Sequence, residues 1–395
     1  MSVRGGYTAG ELYRGTAEGS GLRLTLATPA WIAAVTALAL SAIGIAAISV
    51  TRPELAVRQG VFLAVGIAAA TLVAFIPPRS LRTTCWIVLA VSIALLVFVL
   101  LPFVPRSIVT PRNGARAWIN LGAADFQPSE LAKIAFILCL SQWLAMRGSP
   151  RTFRSLGVPL LLLAMPVGLV VLEPDLGSAL LFLPTALAIL FVAGTRIRYL
   201  AGALAVAAIL APAAYLFVLK PYQRARIDAI VAQIEGDTRY ERDIGFQGWR
   251  AMRLVGAGGV AGNDRDHARA LVVHNALPEE HNDMIFAVVC CRFGAIGGAT
   301  VLALHAAFAA SALAVGLLAR DGFSKLVATG IAGLLFGQTT VNIGMTIGLL
   351  PITGVTLPFL SYGGSSLLGC WTLVGLLVGV GTRPPLGTEK AVFDA

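Results

Sequence analysis

Charged residues are scarce in this chain. Asp, Glu, Lys and Arg make up 13% of its 395 residues, whereas hydrophobic residues make up 57%. Soluble domains contain about 25% charged residues, so the polar side chains present here are too few to cover a globule of this size. The composition therefore excludes an ordinary soluble protein and indicates an integral membrane protein.

Cysteines are also few, and their placement does not suggest a disulfide framework. The chain has five, all within apolar segments: Cys85, Cys139, Cys290, Cys291 and Cys370. We interpret them as buried thiols.

Three further kinds of site lack their sequence signatures. The net charge is +10, but no basic patch is interleaved with aromatic residues, so nucleic-acid binding is not expected. The GAGGVAG stretch at 256–262 lacks the G-x-G-x-x-G spacing and a surrounding βαβ unit, so its glycines indicate close packing or a bend. His267, His274 and His281 recur every seven residues without cysteine partners, so a zinc site is not expected.

Apolar stretches close to the ~20 residues that cross a bilayer as a helix recur along the sequence. There are ten, at 30–50, 60–76, 85–103, 131–146, 155–172, 176–194, 199–219, 284–318, 326–350 and 367–381. The run at 284–318 is too long for one plain span and too short for two, and we interpret it as one long or tilted helix because Arg292 interrupts it early. We predict an all-α polytopic membrane protein with ten transmembrane helices and one large extracytoplasmic loop between helices 7 and 8.

The distribution of Lys and Arg predicts the orientation. With the N-terminus inside, the short inner segments carry fourteen Lys and Arg residues and the short outer loops carry five, which follows the positive-inside rule. We therefore predict cytoplasmic tails at 1–28 and 383–395, helices 1–7 within 29–219, the outer loop at 220–283 and helices 8–10 within 284–382.

The entry to the fourth span is unusually polar. In NGARAWINLGAADFQPSELAK, residues 113–133, Glu130 and Lys133 share one helix face and can pair. This is either a structural ion pair between helices or part of a cavity for an anionic ligand. Arg116 and Trp118 suit a phosphate and a sugar face, or they anchor the loop at the membrane interface.

Two other outer connections are polar. Glu173 and Asp175 lie between helices 5 and 6, where Asp175 either caps helix 6 or contacts substrate. Over residues 342–366, Gly, Pro, Ser and Thr are too dense for a continuous helix. Irregular backbone at membrane depth survives where protein covers it or water fills a cavity. We therefore predict a re-entrant loop at 350–366 that lines a site, in preference to a plain outer connection.

Four ionisable residues crowd together just before the eighth span. They are Glu279, Glu280, His281 and Asp283, within LPEEHNDMIF at 277–286. Asp283 is either a cap for the following helix or a functional carboxylate. Because Asn caps a helix equally well, the substitution Asp283→Asn separates these two interpretations.

Taken together, these motifs resemble those of the shape, elongation, division and sporulation (SEDS) family of RodA- and FtsW-like proteins. The matching residues occur in the family's order over residues 113–366. They are Asn113-Gly114-Ala115-Arg116 with Trp118, Gln127-Pro128-Ser129-Glu130 with Lys133, Pro174-Asp175-Leu176-Gly177, Tyr222-Gln223, Gly256 with Gly258-Gly259, Leu277-Pro278-Glu279 with His281 and Asp283, and the run from Asn342 to Ser366.

The resemblance implies a peptidoglycan glycosyltransferase of the bacterial cytoplasmic membrane. Members of the family polymerise lipid II, an undecaprenyl-pyrophosphate-linked disaccharide-pentapeptide, at the outer face of that membrane. They work with a class B penicillin-binding protein, a transpeptidase that crosslinks the glycan. A divalent cation, magnesium or manganese, assists them, and the sequence does not identify its ligands.

The family's essential aspartate maps onto Asp283. A carboxylate there acts as general base on the acceptor sugar hydroxyl, which attacks the donor's anomeric carbon, and such a base supplies about 10²–10⁴-fold in rate. Pyrophosphate leaves without protonation, so one carboxylate suffices, whereas glycosidases generally need two. Partial desolvation at the membrane edge is expected to raise the pKa of Asp283 towards a useful base strength.

The resemblance also implies a set of substrate-binding candidates. They are Arg116, Trp118, Glu130, Lys133, Asp175, Arg253, His281, Asn342, Ser361, Gly363 and Gly364. Among these, the cations Arg116, Lys133 and Arg253 are the candidates for the phosphates of lipid II.

Two residues next to the proposed base depart from the family pattern. Cys291 and Arg292 stand where the family has two glutamates, so cation dependence is expected to be weaker or differently organised, and Arg292 is a candidate to neutralise pyrophosphate. Two alternatives to the enzyme remain open: a lipid II flippase, and an inactive scaffold for the penicillin-binding protein. A flippase needs a route open to each side in turn, whereas the polar residues here lie mainly towards the outer face.

Overall fold

The computed structural model describes residues 28–112, 115–122, 125–217, 221–235, 237, 239–240, 245–319 and 321–383. Within this part the chain forms thirteen α-helices and one small sheet. The helices are α1 (Pro29–Thr51), α2 (Pro53–Phe75), α3 (Pro78–Leu100), α4 (Pro128–Arg147), α5 (Gly157–Leu172), α6 (Leu176–Val192), α7 (Ile197–Phe217), α8 (Pro221–Ile234), α9 (Phe246–Ala257), α10 (Arg265–Asn275), α11 (Ile285–Leu318), α12 (Gly322–Thr346) and α13 (Gly364–Gly381). The strands are β1 (Val109–Arg112), β2 (Ala115–Asn120) and β3 (Asp125–Phe126).

Proline marks where the first four helices begin. They start at Pro29, Pro53, Pro78 and Pro128. Proline suits the first helical position because its φ is already close to helical and because the N–H that it lacks has no partner there. The same residue cannot continue the preceding segment as a helix, so each proline also sets a boundary.

Eight helical segments of the described chain are long and apolar enough to cross a membrane. They are α1, α2, α3, α4, the segment Arg154–Leu172 that includes α5, α11, α12 and α13. Two more apolar helices are shorter: α6, and the part Ile197–Val206 of α7. The prediction of a polytopic helical membrane protein is confirmed.

The most buried helices form the centre of the bundle. Buried residues make up 83% of the span in α12, 72% in α13 and 67% in α4, but 22% in α2 and 28% in α3. α12 packs against α4, α6 and α11, and α2 covers α13. In a bilayer, the apolar outer faces of the peripheral helices contact lipid tails.

A small antiparallel sheet between α3 and α4 departs from the all-α class that the sequence predicted. The strand order is β1-β2-β3, with Val109 opposite Ile119 and Ile119 opposite Phe126. Alternate residues of β2 are buried, and one of them, Ile119, joins a separate apolar cluster with Val99, Val104 and Val109. The sheet escaped the sequence analysis because its strands are short and lie between two much longer apolar runs.

The segment 220–283, predicted as one long outer loop, contains the helices α8, α9 and α10. α9 and α10 both pack against α11, and α10 also contacts α1. These contacts place the described parts of the loop against one end of the bundle.

α11 is broken near its start. Gly294 has φ 68° and ψ −168°, a left-handed φ that favours glycine. The first part of the helix, 285–291, is buried throughout, and the longer part follows the break. The prediction of one long or tilted helix over 284–318 was wrong in this respect.

The glycine-rich stretch 256–262 packs at this break. A Cβ on Gly258 would lie 1.9 Å from the carbonyl oxygen of Cys290, so only glycine fits there. The N–H of Ala295 donates to the carbonyl of Gly259 at 2.9 Å, which satisfies a donor that the new helix start would otherwise leave unpaired. The interpretation as residues for close packing is confirmed for Gly258 and Gly262, whereas a Cβ on Gly256 would meet nothing within 4 Å.

Contacts between connections fall at two opposite ends of the bundle. At one end, Arg52 after α1 pairs with Glu280 before α11 at 3.3 Å. There, too, the N–H of Tyr362 before α13 donates to the carbonyl of His281 at 2.8 Å. These connections alternate along the chain, as expected for loops on one side of a membrane.

At the opposite end of the bundle, the segments that follow α2, α11 and α13 are in contact. Arg82 at the start of α3 pairs with Asp321 before α12 at 2.7 Å, and the two side chains are largely buried. Arg383 after α13 donates to the carbonyl of Ala74 near the end of α2 at 2.8 Å.

Candidate active site

The candidate catalytic residue lies in a tight turn between α10 and α11. Glu279 has a positive φ of 53°, and its carbonyl accepts from the N–H groups of Asn282 at 3.0 Å and Met284 at 3.3 Å. The side chain of Asn282 also donates to the Glu279 carboxylate. These bonds close the chain on itself and present Asp283 just before α11.

Asp283 does not cap α11. The cap position is Met284 and makes no side-chain cap bond, so the interpretation of Asp283 as a helix cap was wrong. Its Oδ1 is buried with no hydrogen-bond partner among the described residues, and a Cβ on Gly354 would lie 3.9 Å from its Oδ2. Buried acceptors without a donor are uncommon and need an explanation, of which a catalytic role is one.

The surroundings of Asp283 make it a stronger base than an ordinary aspartate. Burial raises the pKa of Asp283 to about 7, and the negative charge of Glu279 adds to the rise. The positive charges of Arg226 and His281 oppose it. A carboxylate with a pKa near 7 is well matched to accept a proton at neutral pH.

Polar side chains fasten the irregular segment between α12 and α13 to this turn. Asn342, on α12, donates to the carbonyls of Asp283 and Val355, each at 2.7 Å. The hydroxyl of Ser361 donates to the carbonyl of Asn282 at 2.7 Å. Because both side chains are buried and bond to carbonyls, we interpret them as residues that hold the backbone around Asp283 in place.

A glutamine on α2 holds the end of the same segment. Gln59 donates to the carbonyl of Ser361 at 2.9 Å and accepts from the N–H of Gly363 at 3.2 Å. Next to them, the rings of His281 and Tyr362 are 5.7 Å apart. Gln59 is 1% exposed, so its amide is committed to this link.

Three helix starts converge beside the segment. Asp175 accepts from the N–H of Ser178 at 3.0 Å and thereby caps α6, which confirms the capping interpretation. Asp175 also accepts from the side chain of Gln127, before α4, at 3.1 Å. The N–H of Gln127 in turn donates to the hydroxyl of Ser365 in α13 at 3.0 Å. Helix N-termini carry partial positive charge and favour anions.

The ion pair expected from the spacing of Glu130 and Lys133 is present. Lys133 Nζ lies 2.9 Å from Glu130 Oε1, and the side chain of Lys133 is 3% exposed. The carboxylate faces α13, where a Cβ on Gly369 would lie 3.2 Å from Glu130 Oε2. The pair therefore lies between α4 and α13, one turn beyond the converging helix starts.

A second buried carboxyl stands near Asp175. Glu173 is fully buried, and both of its oxygens lack a hydrogen-bond partner among the described residues. Burial raises its pKa to about 9, with a further rise from the charge of Asp175. Glu173 is therefore protonated at neutral pH.

Three of the predicted substrate-binding residues lie in the sheet and on α9. Arg116 in β2 donates to the carbonyl of Val104 at 3.1 Å, which anchors the loop that follows α3. Trp118 lies opposite Thr110 in the sheet. Arg253 is an exposed residue of α9. Of the remaining candidates, Gly363 is the cap residue of α13, and Gly364 packs against the ring of Phe62.

The comparisons with known proteins agree with this architecture. The cell cycle protein family of FtsW, RodA and SpoVE matches residues 22–384. This chain belongs to that family. The resemblance to the SEDS family found in the sequence is thereby confirmed.

Named relatives of this SEDS protein match over most of their length. It is 32% identical over 347 residues to the probable peptidoglycan glycosyltransferase FtsW of Pseudomonas fluorescens, covering 86% of this chain and 82% of that protein. It is 34% identical to the stage V sporulation protein E of Bacillus subtilis, covering 82% of this chain and 86% of that protein. It is 32% identical to the peptidoglycan glycosyltransferase MrdB of Escherichia coli K12, covering 81% and 84%.

Solved structures resemble this SEDS protein in fold. One is a chain of a peptidoglycan synthase complex that coordinates polymerization and crosslinking, with a TM-score of 0.76 and 32% identity. The match covers 89% of this chain and 97% of that one. Another is the rod shape determining protein RodA of Thermus thermophilus, with a TM-score of 0.66, 29% identity, and coverage of 89% and 96%.

Two residues of this SEDS protein's site escaped the sequence analysis. Arg226 on α8 donates to the carbonyl of Ile352, in the segment beside Asp283, and Gln59 on α2 bonds to Ser361 and Gly363 before α13. Arg226 lies four residues after Tyr222 in the sequence, and this spacing was the available signal. Gln59 is an amide within an apolar span, a placement that is costly unless the amide is hydrogen-bonded.

The described residues contain no group of three or more His, Cys, Asp and Glu side chains placed to hold a metal ion. Magnesium, however, is often bound by one or two carboxylates together with substrate phosphates. The unpaired Oδ1 of Asp283 and the neighbouring carboxylate of Glu279 fit that second mode.

Proposed function

We propose that this chain is a peptidoglycan glycosyltransferase that polymerises lipid II, with Asp283 as the general base. The observation that carries the proposal is the buried, unpaired Oδ1 of Asp283, in a turn whose backbone is held by α12 and by the irregular segment before α13. The chain is similar to relatives that are named peptidoglycan glycosyltransferases, and this similarity supports lipid II as the substrate.

The proposed reaction uses one carboxylate. Asp283 takes the proton from the acceptor sugar hydroxyl as that oxygen attacks the anomeric carbon of the donor. The bond between the anomeric carbon and the pyrophosphate oxygen breaks, and undecaprenyl pyrophosphate leaves with its negative charge. A pKa near 7 lets Asp283 accept the proton readily and still be ionised in a large fraction of molecules at neutral pH.

The converging starts of α4, α6 and α13, with Lys133 one turn into α4, are our candidate for the anionic end of lipid II. Backbone N–H groups and an ammonium ion stabilise phosphate charge. A divalent cation, magnesium or manganese, held by the phosphates and the Glu279 carboxylate, would supply further neutralisation there.

In a membrane we propose ten spans, with both tails in the cytoplasm and the Asp283 site at the outer face of the bacterial cytoplasmic membrane. The positive-inside count supports this orientation. The contacts of Arg52 with Glu280 at one end of the bundle and of Arg82 with Asp321 at the other support the assignment of these connections to opposite sides of the membrane. The proposed tails, 1–28 and 383–395, lie largely outside the described residues.

The proposed partner is a class B penicillin-binding protein. The similarity to a chain of a peptidoglycan synthase complex supports a joint role in polymerization and crosslinking.

One of the two departures from the family pattern, Arg292, has a structural role that does not require loss of activity. Arg292 donates to the carbonyl of Asn263 at 2.7 Å, and Asn263 donates to the carbonyl of Cys291 at 2.8 Å. These bonds fasten the outer loop to the first part of α11. We therefore withdraw Arg292 as a candidate for pyrophosphate.

The test is polymerisation of labelled lipid II by the purified full-length protein with magnesium or manganese, with and without the penicillin-binding protein. Wild type is compared with Asp283→Asn. The matched control is Asp264→Asn in the same outer loop, where the carboxylate caps α10 and Asn preserves the cap. We expect polymer from wild type and Asp264→Asn, and a rate lower by about 10²-fold or more for Asp283→Asn.

The other outcomes have definite meanings. Polymer at equal rates from wild type and Asp283→Asn removes Asp283 from the mechanism. No polymer from any variant, with lipid II still bound and the partner present, rejects the enzyme. Transport of lipid II into vesicles by that same protein then indicates the flippase, and its absence indicates the scaffold.

A further inference from the structure

A group of exposed arginines lies at the end of the bundle away from Asp283. The starts of α4 and α6 meet near the Asp283 site, where Asp175 accepts from the side chain of Gln127. The two helices are 20 and 17 residues long, so at 1.5 Å per residue they carry the chain about 25–30 Å away. The exposed arginines at and after their far ends, which we call the arginine cluster, are Arg147, Arg151, Arg154, Arg196 and Arg198.

Two hydrogen bonds join the connection after α4 to the connection after α6. The hydroxyl of Ser149 donates to the carbonyl of Ala193 at 2.5 Å, and a Cβ on Gly194 would lie 2.9 Å from that hydroxyl oxygen. The hydroxyl of Tyr199 donates to the carbonyl of Arg151 at 3.5 Å. The bonded residues are 44 and 48 positions apart in the sequence. The tertiary structure therefore gathers the arginines of both connections at one place.

The positive charge of the cluster is largely unneutralised by the described protein. No acidic residue occurs at 131–172 or at 176–227, so neither connection supplies a carboxylate of its own. Among the residues that the structure describes, the side chains of Arg147, Arg154 and Arg196 have no hydrogen bond or ion pair. Asp321, at the same end of the bundle, is already paired with Arg82 at 2.7 Å. The cluster is therefore suited to an anion from outside the protein.

Large apolar side chains are exposed among the arginines. They are Met146, Phe153, Phe191 and Ile197, which are 70%, 73%, 60% and 70% exposed. All of them except Phe191 are direct sequence neighbours of an arginine in the cluster. A surface that mixes cationic and apolar side chains fits the boundary of a bilayer, where phosphate headgroups meet acyl chains. An acidic segment of a soluble protein would not require this exposed apolar surface.

We propose that the arginine cluster binds the phosphate of an anionic phospholipid, whose acyl chains pack against the exposed apolar side chains. Guanidinium groups bind phosphate oxygens through paired hydrogen bonds, and basic pockets between membrane helices accept anionic headgroups. The inference needs only that the chain lies in a membrane, so it does not rest on the proposed glycosyltransferase activity. In the orientation proposed above, the lipid belongs to the cytoplasmic leaflet.

The simpler alternative is that these arginines only fix the orientation of the helices. Their attraction for lipid phosphate is then diffuse, so it responds equally to the loss of any charge on that side, and lysine serves as well as arginine. A built site responds to the loss of its own arginines. Lysine is a poorer substitute there, because it cannot form the paired hydrogen bonds.

The experiment counts lipids bound to the purified full-length protein in detergent, by native mass spectrometry. The probes are phosphatidylglycerol, which is anionic, and phosphatidylcholine with the same acyl chains, which is zwitterionic. Glycerol phosphate is the competitor that has the phosphate without the chains. The variants are Arg196→Gln, Arg196→Lys and Arg154→Gln. The matched control is Arg79→Gln, because Arg79 is an exposed arginine in the first turn of α3, outside both connections.

We expect wild type to bind phosphatidylglycerol at least about fivefold more tightly than phosphatidylcholine. Arg196→Gln and Arg154→Gln should each weaken the binding of phosphatidylglycerol by about fivefold, the effect of one arginine near an anionic surface. Arg196→Lys should fall between wild type and Arg196→Gln, and Arg79→Gln should match wild type. Equal binding of the two lipids, or equal losses in Arg196→Gln and Arg79→Gln, overturns the proposal.

Two other results also overturn it. Displacement of phosphatidylglycerol by an equal concentration of glycerol phosphate identifies a site for free phosphate. Binding of poly-glutamate in preference to phosphatidylglycerol, lost in Arg196→Gln, identifies a surface for an acidic protein. Thermal unfolding checks that each variant is folded. If Arg196→Gln is not, Arg154→Gln carries the test, because the side chain of Arg154 is exposed.

Discussion

Asn342 joins the turn that contains Asp283 to the irregular segment before α13. Its side-chain amide donates to the carbonyl of Asp283 and to that of Val355, each at 2.7 Å. Asn342 is 0% exposed, so water cannot replace either bond. One side chain on α12 therefore sets the distance between the start of α11 and the irregular backbone before α13.

Replacing Asn342 with Leu should disable the site without a change at Asp283 itself. Two buried carbonyls lose their donor, and each loss costs about 1–3 kcal/mol. We expect a lower unfolding temperature in detergent and a polymerisation rate reduced by at least about tenfold. Thr340→Val is the matched control, because Thr340 is exposed and its hydroxyl bonds within α12. Equal effects of the two substitutions would contradict the role given to Asn342.

The polymerisation rate should have an acid limb near pH 7. The pKa of Asp283 is raised to about 7 by burial and by Glu279, and only the ionised carboxylate accepts a proton. The rate should therefore rise as pH increases through 7 and level off above it. The measurement is kcat/KM against pH for wild type. A limb near pH 4, where an unperturbed aspartate titrates, would mean that Asp283 is solvated in the working enzyme.

Asp283→Asn should be no less stable than wild type above pH 7. The folded state holds the Asp283 proton more tightly than the unfolded state does, because the pKa rises from 3.8 to about 7 on folding. The contribution of this group to the stability of wild type therefore falls as pH increases from about 4 to 7. Asn does not titrate, so the stability of the variant does not fall for this reason. Thermal unfolding of both proteins at pH 5 and pH 8 measures the difference. A variant less stable than wild type at pH 8 would indicate that the carboxylate has a favourable partner.

Gln59→Leu should lower kcat more than it changes KM. The amide supports the backbone of Ser361 and Gly363, and Ser361 in turn supports Asn282, next to Asp283. Loss of this support should misplace the base without removing any group that contacts substrate in our proposal. Gly60→Ala on the same helix is the control, because a Cβ there meets nothing within 4 Å. A change confined to KM would place Gln59 in substrate binding.

Gly258→Ala should disrupt the packing of the 256–262 stretch against α11. The new Cβ would lie 1.9 Å from the carbonyl oxygen of Cys290, so the backbone must move, and overpacking of this kind typically costs about 1–3 kcal/mol. Gly256→Ala, two residues earlier, has open space around the new Cβ. We expect a reduced unfolding temperature for Gly258→Ala alone. The comparison needs only thermal unfolding, so it does not depend on the proposed activity.

Local patterns in the sequence predicted the local features correctly. Glu130 and Lys133 pair because residues three apart share a helix face, whatever the rest of the fold does. Asp175 caps α6 because its side chain needs only the next turn of backbone. The broken α11 was missed because the φ of Gly294 is set by the packing of 256–262, which the apolar run 284–318 does not encode.

Two candidate binding residues, Arg116 and Trp118, lie in an element that the sequence did not predict. They were expected in a loop that enters the fourth span, but this part of the chain forms the strand β2. Arg116 then bonds to Val104 and serves the loop. Arg226 and Gln59, by contrast, were not singled out, although each contacts the segment next to Asp283.

The sequence by itself determined that this is a membrane protein, where its apolar helices lie, and to which family it belongs. Composition suffices for the first two, because the cost of placing polar groups in lipid acts on each segment separately. The order of the motifs suffices for the family. Only the tertiary structure decided how Asp283 is buried and what supports it. Its supports come from residues such as Gln59 and Ser361, which are 302 positions apart, and such contacts exist only once the helices have packed.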